Sequence, residues 1–465
     1  MFYLMITSMA IAMVTISLAM TGFSTRSDDR ADQAQRVLQD ARRLVLEHLV
    51  NPDTDGTGRR LGQWGLFPDL PIAAGAGLDA SEPNIDGFAE AAGCATSAWV
   101  PGQALSAVSA SLAAARCFGR LPWKSMGLPI GDAGDDVDSM VPWVIISPNL
   151  VTSAACLPNL HPSSLAQPYA GYACLGAVPY PWITVRDARG NVVSDRVAIA
   201  LVLPGVPVQG QVRGPAASAN QYLDSVTINA GCPVPCQPGT YSNAEFGHPD
   251  GQPTTLIQAP VDAKAAQRLG YYAQPYNFND QVVYITVEDL MRALEARARL
   301  EVRRQLEAFK LARGYFPFAA DLTSTTGTCV TGQRLGRIPV LAGSCAATDI
   351  LSLPAWLTNS GWHRYFVYSV SPRCVPGNNA CNAPGLTVAA DTAVNAVVIS
   401  PGSPISTAPF APSRAAAQTP MVGFALSGQL ADYLDAVENA GGTADVFDST
   451  VGAAGPNNDR LEIFR

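Results

Sequence analysis

Residues 287–317 read VEDLMRALEARARLEVRRQLEAFKLARGYFP, and this stretch organises the rest of the chain. Leu290, Leu294, Ala298, Val302, Leu306 and Phe309 recur at the three- and four-residue spacing of a helix with one apolar face. Thr286 and Asp289 hold capping-box positions at its start, and Gly314 supplies its stop. The spacing predicts a helix from Val287 to Arg313 whose apolar stripe must lie on something. Its other charges, such as Glu295 with Arg299, have the i, i+4 spacing of solvated pairs.

Outward from this helix, the same order of local signals occurs twice. An amphipathic stretch with Ala34, Val37, Leu38, Ala41, Leu44, Val45 and Leu49 on one face leads to Gly65-Leu66-Phe67-Pro68, as the quoted helix leads to Gly314-Tyr315-Phe316-Pro317. Gly119-Arg120-Leu121-Pro122 answers Gly336-Arg337-Ile338-Pro339, and Ser147-Pro148 answers Ser371-Pro372. Tyr222-Leu223-Asp224 answers Tyr433-Leu434-Asp435, and Asn279-Asp280 answers Asn458-Asp459. Each copy reads as one helix followed by short strands. They lie near Trp143 to Ser147, Pro181 to Asp187, Arg196 to Leu203 and Gln281 to Thr286, then near Arg364 to Ser369, Leu386 to Ala389, Ala393 to Ser400 and Arg460 to Phe464. The turn Asp187 to Asn191 is a hairpin signal, and no helix separates those strands. The expectation is an α+β fold in which each helix packs on an antiparallel sheet.

At the other end of the pattern, Met1 to Thr25 carries no charge, and Phe2 to Phe23 (FYLMITSMAIAMVTISLAMTGF) is long enough as a helix to cross a hydrocarbon core of about 30 Å. It reads as a transmembrane helix. No Pro or Gly interrupts Ser24 to Val50, so the same helix is expected to run on into the amphipathic stretch. Ten cysteines, Cys94, Cys117, Cys156, Cys174, Cys232, Cys236, Cys329, Cys345, Cys374 and Cys381, all follow the apolar segment. An even number so placed points to an oxidising, extracytoplasmic space. Spacing alone does not fix connectivity. Sequential pairing keeps every bridge inside one copy and predicts Cys94–Cys117, Cys156–Cys174, Cys232–Cys236, Cys329–Cys345 and Cys374–Cys381.

Composition excludes several classes. With 48% hydrophobic and 15% charged residues in 465, the chain is too apolar to be disordered, and a net charge of -8 gives no cationic surface for nucleic acid. Its lysines, Lys124, Lys264 and Lys310, sit in no phosphate-binding loop. His48, His161, His248 and His363 are scattered, and neither HExxH nor GxSxG occurs, so no enzyme and no cofactor is expected. Asp53 and Asp55 are spaced as in a calcium loop, but Trp64 stands where its Glu belongs; Asp132, Asp135, Asp136 and Asp138 form a second acidic group that reads as a Ca2+ site or a solvated loop. The spacing of Cys232 and Cys236, with Pro233 and Pro235 between, fits a small disulfide loop better than zinc or redox chemistry.

The uncharged first segment, the amphipathic continuation and the helix-plus-sheet units resemble type IV pilins and pseudopilins. The closest likeness is to a group of large pilin-like proteobacterial proteins, through Asn51-Pro52-Asp53-Thr54-Asp55-Gly56, Gly119-Arg120-Leu121-Pro122-Trp123 and Asn458-Asp459-Arg460-Leu461. The resemblance implies a long N-terminal transmembrane and amphipathic helix over residues 1–50, then two tandem pilin-like heads over 51–286 and 287–465. It implies a filament subunit that waits in the inner membrane, then packs on copies of itself or on other pilins outside the cell. Phe2, Met5, Ala12, Thr15 and Ala19 are the expected assembly residues; Met5 stands where the family carries a Glu. The other reading is a single-span membrane-anchored extracytoplasmic enzyme, binding or adhesion protein, against which the absence of a flexible linker after the span argues.

Overall fold

The structure, a computed structural model, describes residues 33–51, 118–129, 141–146, 182–208, 210–213, 219–244, 255–259, 278–359, 361–379, 381, 385–389, 391–401, 428–430, 434, 439, 445–447 and 459–465. Helix α1 covers 33–50, α2 Trp123–Met126, α3 Val287–Arg313 and α4 Ala355–Asn359. The first half contributes β1 (Phe118–Arg120), β2 (Trp143–Ile146), β3 (Ile183–Arg186), β4 (Val192–Leu203), β5 (Ser225–Ile228), β6 (Gly239–Ser242), β7 (Thr255–Ile257) and β8 (Gln281–Thr286). The second contributes β9 (Leu335–Arg337), β10 (Val367–Val370), β11 (Cys374–Val375), β12 (Asn378–Asn379), β13 (Leu386–Val388), β14 (Asp391–Val394), β15 (Ala396–Ser400), β16 (Val446–Phe447) and β17 (Arg460–Phe464).

The quoted helix forms for the reasons its sequence gives. The Thr286 hydroxyl accepts the Asp289 N–H at 3.1 Å, Glu288 and Asp289 favour the positive N-terminus, and Lys310 and Arg313 favour the other end. Gly314 at φ 80° ends it, a left-handed geometry that a side chain resists. Its buried stripe runs Val287, Leu290, Met291, Leu294, Ala298, Val302 and Leu306.

Both halves build a four-stranded antiparallel ladder in one order, β1-β2-β4-β8 and β9-β10-β15-β17. In each a hairpin, β3–β4 or β13–β14, is extended by a short parallel strand, β7 on β3 or β16 on β13. The Gly-Arg pairs fall at the ends of β1 and β9, where a Cβ at Gly336 would overlap the Ala320 carbonyl oxygen. From Val197 to Leu203 strand β4 is buried on both faces, which is why this part is a near-continuous apolar run. Ile199, Leu201 and Leu203 join the central core, and Ala200 and Val202 join a second cluster with Trp143, Ile183 and Tyr222.

The described residues do not form a long membrane-crossing N-terminal helix leading into two tandem pilin-like heads. No helix among them is long and apolar enough to cross a membrane; residues 2–23 lie outside them. Helix α1 turns Val37, Leu38, Ala41, Val45 and Leu49 into the same core that holds the α3 stripe, Val144, Ile199 and Leu201 of the first sheet, and Tyr368, Val398 and Phe464 of the second. Helix α3 lies against β4 and β8 as well as β15 and β17. Each thin sheet has one helix stripe to cover it, and pooling both stripes removes more apolar surface from water than two separate layers can. The fold is therefore sheet-rich around one shared core, with parallel as well as antiparallel pairs. Ion pairs fasten the seam: Arg42 meets Asp289 at 2.9 Å and donates to the Tyr284 carbonyl at 2.9 Å, and Arg196 meets Glu288 at 2.8 Å.

Candidate functional site

A cluster of buried polar groups in the first half lies where three strand ends converge. Asp224 precedes β5, Asn243 follows β6 and Asp280 precedes β8, and all three are buried. Asp280 accepts through Oδ2 from the Asp224 backbone N–H at 2.8 Å and from the Asn243 side-chain amide at 3.0 Å. Asn243 also brackets Ile257 of β7, donating to its carbonyl at 3.0 Å and accepting its N–H at 2.9 Å. Asp224 accepts from the Gln211 amide and from the Asn279 N–H, each at 2.8 Å.

Positive charge comes from Arg213 on a loop and from Arg120 at the end of β1. Arg213 donates to the carbonyls of Gly205 at 2.6 Å and Tyr222 at 3.2 Å and to the Gln211 side chain at 2.9 Å. The guanidinium of Arg120 at the end of β1 lies 4.2 Å from the Tyr222 ring centre, and that of Arg213 lies 5.5 Å from it. Burial raises the Asp224 carboxyl to about 6, against the hydrogen bonds from Asn279 and Gln211 and the charge of Arg213. Burial, then the charge of Asp224, pushes Asp280 well above the usual carboxylate range. Its Oδ1 has no hydrogen-bond partner among the described residues, so nothing there offsets the loss of water.

Two carboxyls with raised proton affinity are material for acid–base chemistry, but a general acid or base must reach its substrate. Asp280 is 0% exposed and Asp224 2%, and the hydrogen bonds they accept come from the protein's own strands and loops. The second half repeats the construction. Asp459, ahead of β17 as Asp280 is ahead of β8, accepts from the Asn439 amide at 3.1 Å, and both are buried. Arg337 at the end of β9 is as buried as Arg120. Leu434 is buried like Leu223, while its neighbours Tyr433 and Asp435 lie outside the described residues. In the sequence these groups stand only as recurring landmarks, Tyr-Leu-Asp and Asn-Asp, and nothing local announces their convergence. A charged residue directly ahead of an apolar strand, recurring in both halves, was the available signal.

Three cysteine pairs stand at disulfide distance: Cys232–Cys236, Cys329–Cys345 and Cys374–Cys381, with Cα separations of 6.3, 5.8 and 4.5 Å. Each stays inside one half. The expected pairs Cys94–Cys117 and Cys156–Cys174 lie outside the described residues, as do Asp53, Asp55, Asp132, Asp135, Asp136 and Asp138 and the assembly residues Phe2, Met5, Ala12, Thr15 and Ala19. Among the described residues no group of three or more His, Cys, Asp or Glu side chains is placed to hold a metal. His363 is buried in the second half, and burial, then the Arg364 charge, lowers it to about 4. None of the family models, curated proteins or solved structures compared with this chain matches it.

Proposed function

We propose that this chain is a non-enzymatic structural subunit of an extracytoplasmic filament of pilus or pseudopilus type. The observation that carries the reading is the repetition of the buried polar lock: Asp280 with Asn243 in one half, Asp459 with Asn439 in the other, each turned inward at the start of a last strand. A catalytic constellation has to open to a substrate, and a device built twice to hold strand ends together is scaffolding. The cysteine pairs support an oxidising location. The uncharged residues 2–23 would face lipid before assembly and neighbouring subunits afterwards, with the bridged sheets on the outside. This rests on the sequence of that segment and on the scaffold character of the sheets. Electron microscopy of sheared cell-surface material, labelled with an antibody to residues 287–465, tests it: label along filaments supports the proposal, and label confined to membrane fragments contradicts it.

A further inference from the structure

The outward face of α3 carries two of the most exposed large apolar side chains in the described structure, Leu300 at 60% and Leu311 at 90%. Between them stand Arg304, with 69% of its side chain exposed, and Glu307, with 54%. At about 100° per residue, Arg304, Glu307 and Leu311 sit at about 40°, about −20° and about 20° from Leu300, so the four form one narrow stripe about 16 Å long. Their order is palindromic in chemistry. A second helix laid antiparallel across the stripe places Leu300 against Leu311 and Arg304 against Glu307, and a twofold axis makes each pair occur twice.

We infer that this stripe is a docking surface for a second copy of the same chain, in a closed, isologous contact. The charge complementarity selects the occupant: a foreign helix needs a matched sequence, whereas another copy supplies it by symmetry. Arg304 now meets Glu301 at 2.7 Å, and Glu307 meets Arg303 at 2.9 Å. The Arg303–Glu307 pair is on the surface, where such partners exchange at little cost, and the buried Glu301 keeps Arg297 and Gln305 as partners when Arg304 turns outward. A stripe this short buries less than the roughly 1,200 Å² of a standard stable interface, so the dimer is weak and concentration-dependent. The inference stands on α3 alone and does not rest on the filament reading.

Sedimentation equilibrium on the detergent-solubilised full chain tests it. Wild type should show a monomer–dimer equilibrium. Arg304→Glu should weaken it by about tenfold or more, because it sets like charges face to face twice, and Arg304→Glu with Glu307→Arg should restore it, because the pair is then reversed. Leu300→Cys chains should form disulfide dimers with Leu311→Cys chains in preference to dimers with themselves. A wild type that stays monomeric at about 1 mM, where a contact of only about 4 kcal/mol is already half formed, overturns the inference. So does a dimer indifferent to Arg304→Glu, which would place the contact elsewhere, for instance at residues 2–23. All four positions are exposed, and a cooperative thermal transition confirms that the variants fold.

Discussion

Asp280 takes the backbone N–H of Asp224 on its carboxyl at 2.8 Å, and Asp224 takes the N–H of Asn279, the neighbour of Asp280, at the same distance. Each carboxyl thus caps the backbone of the other's segment. The two segments lie more than fifty residues apart in the chain, as the separations of 56 and 55 for these bonds record. The pair fixes where β8 begins, and with it the Thr286 cap from which α3 starts without an intervening loop.

Replacing Asp280 by Ala should therefore destabilise the whole fold. The Asp224 N–H and the Asn243 amide lose their common acceptor in a buried place, at about 1–3 kcal/mol for each group left unsatisfied. Asp280→Asn keeps an acceptor oxygen and should cost less than half as much. Urea unfolding of the two variants checks this, and an Asp280→Ala chain within about 0.5 kcal/mol of wild type, the range of neutral surface changes, would show that the lock holds nothing.

The same pair sets a pH dependence. Asp224 titrates near 6 in the folded protein and near the usual carboxylate value unfolded, so between those values the folded state binds more protons. Its contribution is present in full below pH about 4 and is lost as pH rises through about 6, a change of about 2–3 kcal/mol. His363 works in the opposite sense, because its lowered value makes the unfolded state the better proton acceptor from about 4 to 6.5. The difference between wild type and Asp224→Asn isolates the carboxyl: the wild-type advantage should shrink as pH goes from 4 to 7. An advantage that grows over that range contradicts the assignment.

Because α1, α3 and a face of each sheet share one core, damage in one half should be felt in the other. Leu294→Ala on α3 should cost about 2–5 kcal/mol, and the chain should still unfold in one transition. Hydrogen exchange should quicken at Val144 and Leu201 as well as at Tyr368 and Val398. Faster exchange confined to the second half would mean that the halves are separate heads after all.

The bridges should differ in weight. Cys329–Cys345 spans a sequence separation of 16 and Cys232–Cys236 only 4. Loop-closure entropy gives about 3 kcal/mol for the longer and about 2 kcal/mol for the shorter. Replacing each pair by Ser and comparing thermal midpoints checks the order, and a larger loss from the short loop contradicts it.

Much of the secondary structure was legible, since it is written in local periodicity. The α3 stripe, its Thr286 cap and its Gly314 stop stand where the sequence puts them, and β8 and β17 match their expected spans. The stretch expected as one strand from Ala393 to Ser400 is divided between β14 and β15, because Asn395 interrupts it: its backbone N–H turns to the Phe464 carbonyl and its carbonyl takes the Ser371 N–H. What covers a stripe was not legible. The apolar faces of Val37 and Leu294 announce that each helix must be buried, but periodicity names no partner, and the common core of both halves is a long-range outcome. The Asp224–Asp280 lock was hidden for a related reason. A single Asp in a two-residue motif carries no sign of the strand end it will meet.

The filament proposal meets its most direct test at Ala12. An arginine there would put a charge into a segment that otherwise carries none from Met1 to Thr25, and a charge among apolar chains costs at least about 2.5 kcal/mol. Cells making wild type and cells making Ala12→Arg should be compared for surface filaments, together with the protease resistance of the region after residue 33. The account predicts filaments from wild type, none from the variant, and an equally resistant folded region in both. Normal filaments from Ala12→Arg would contradict it.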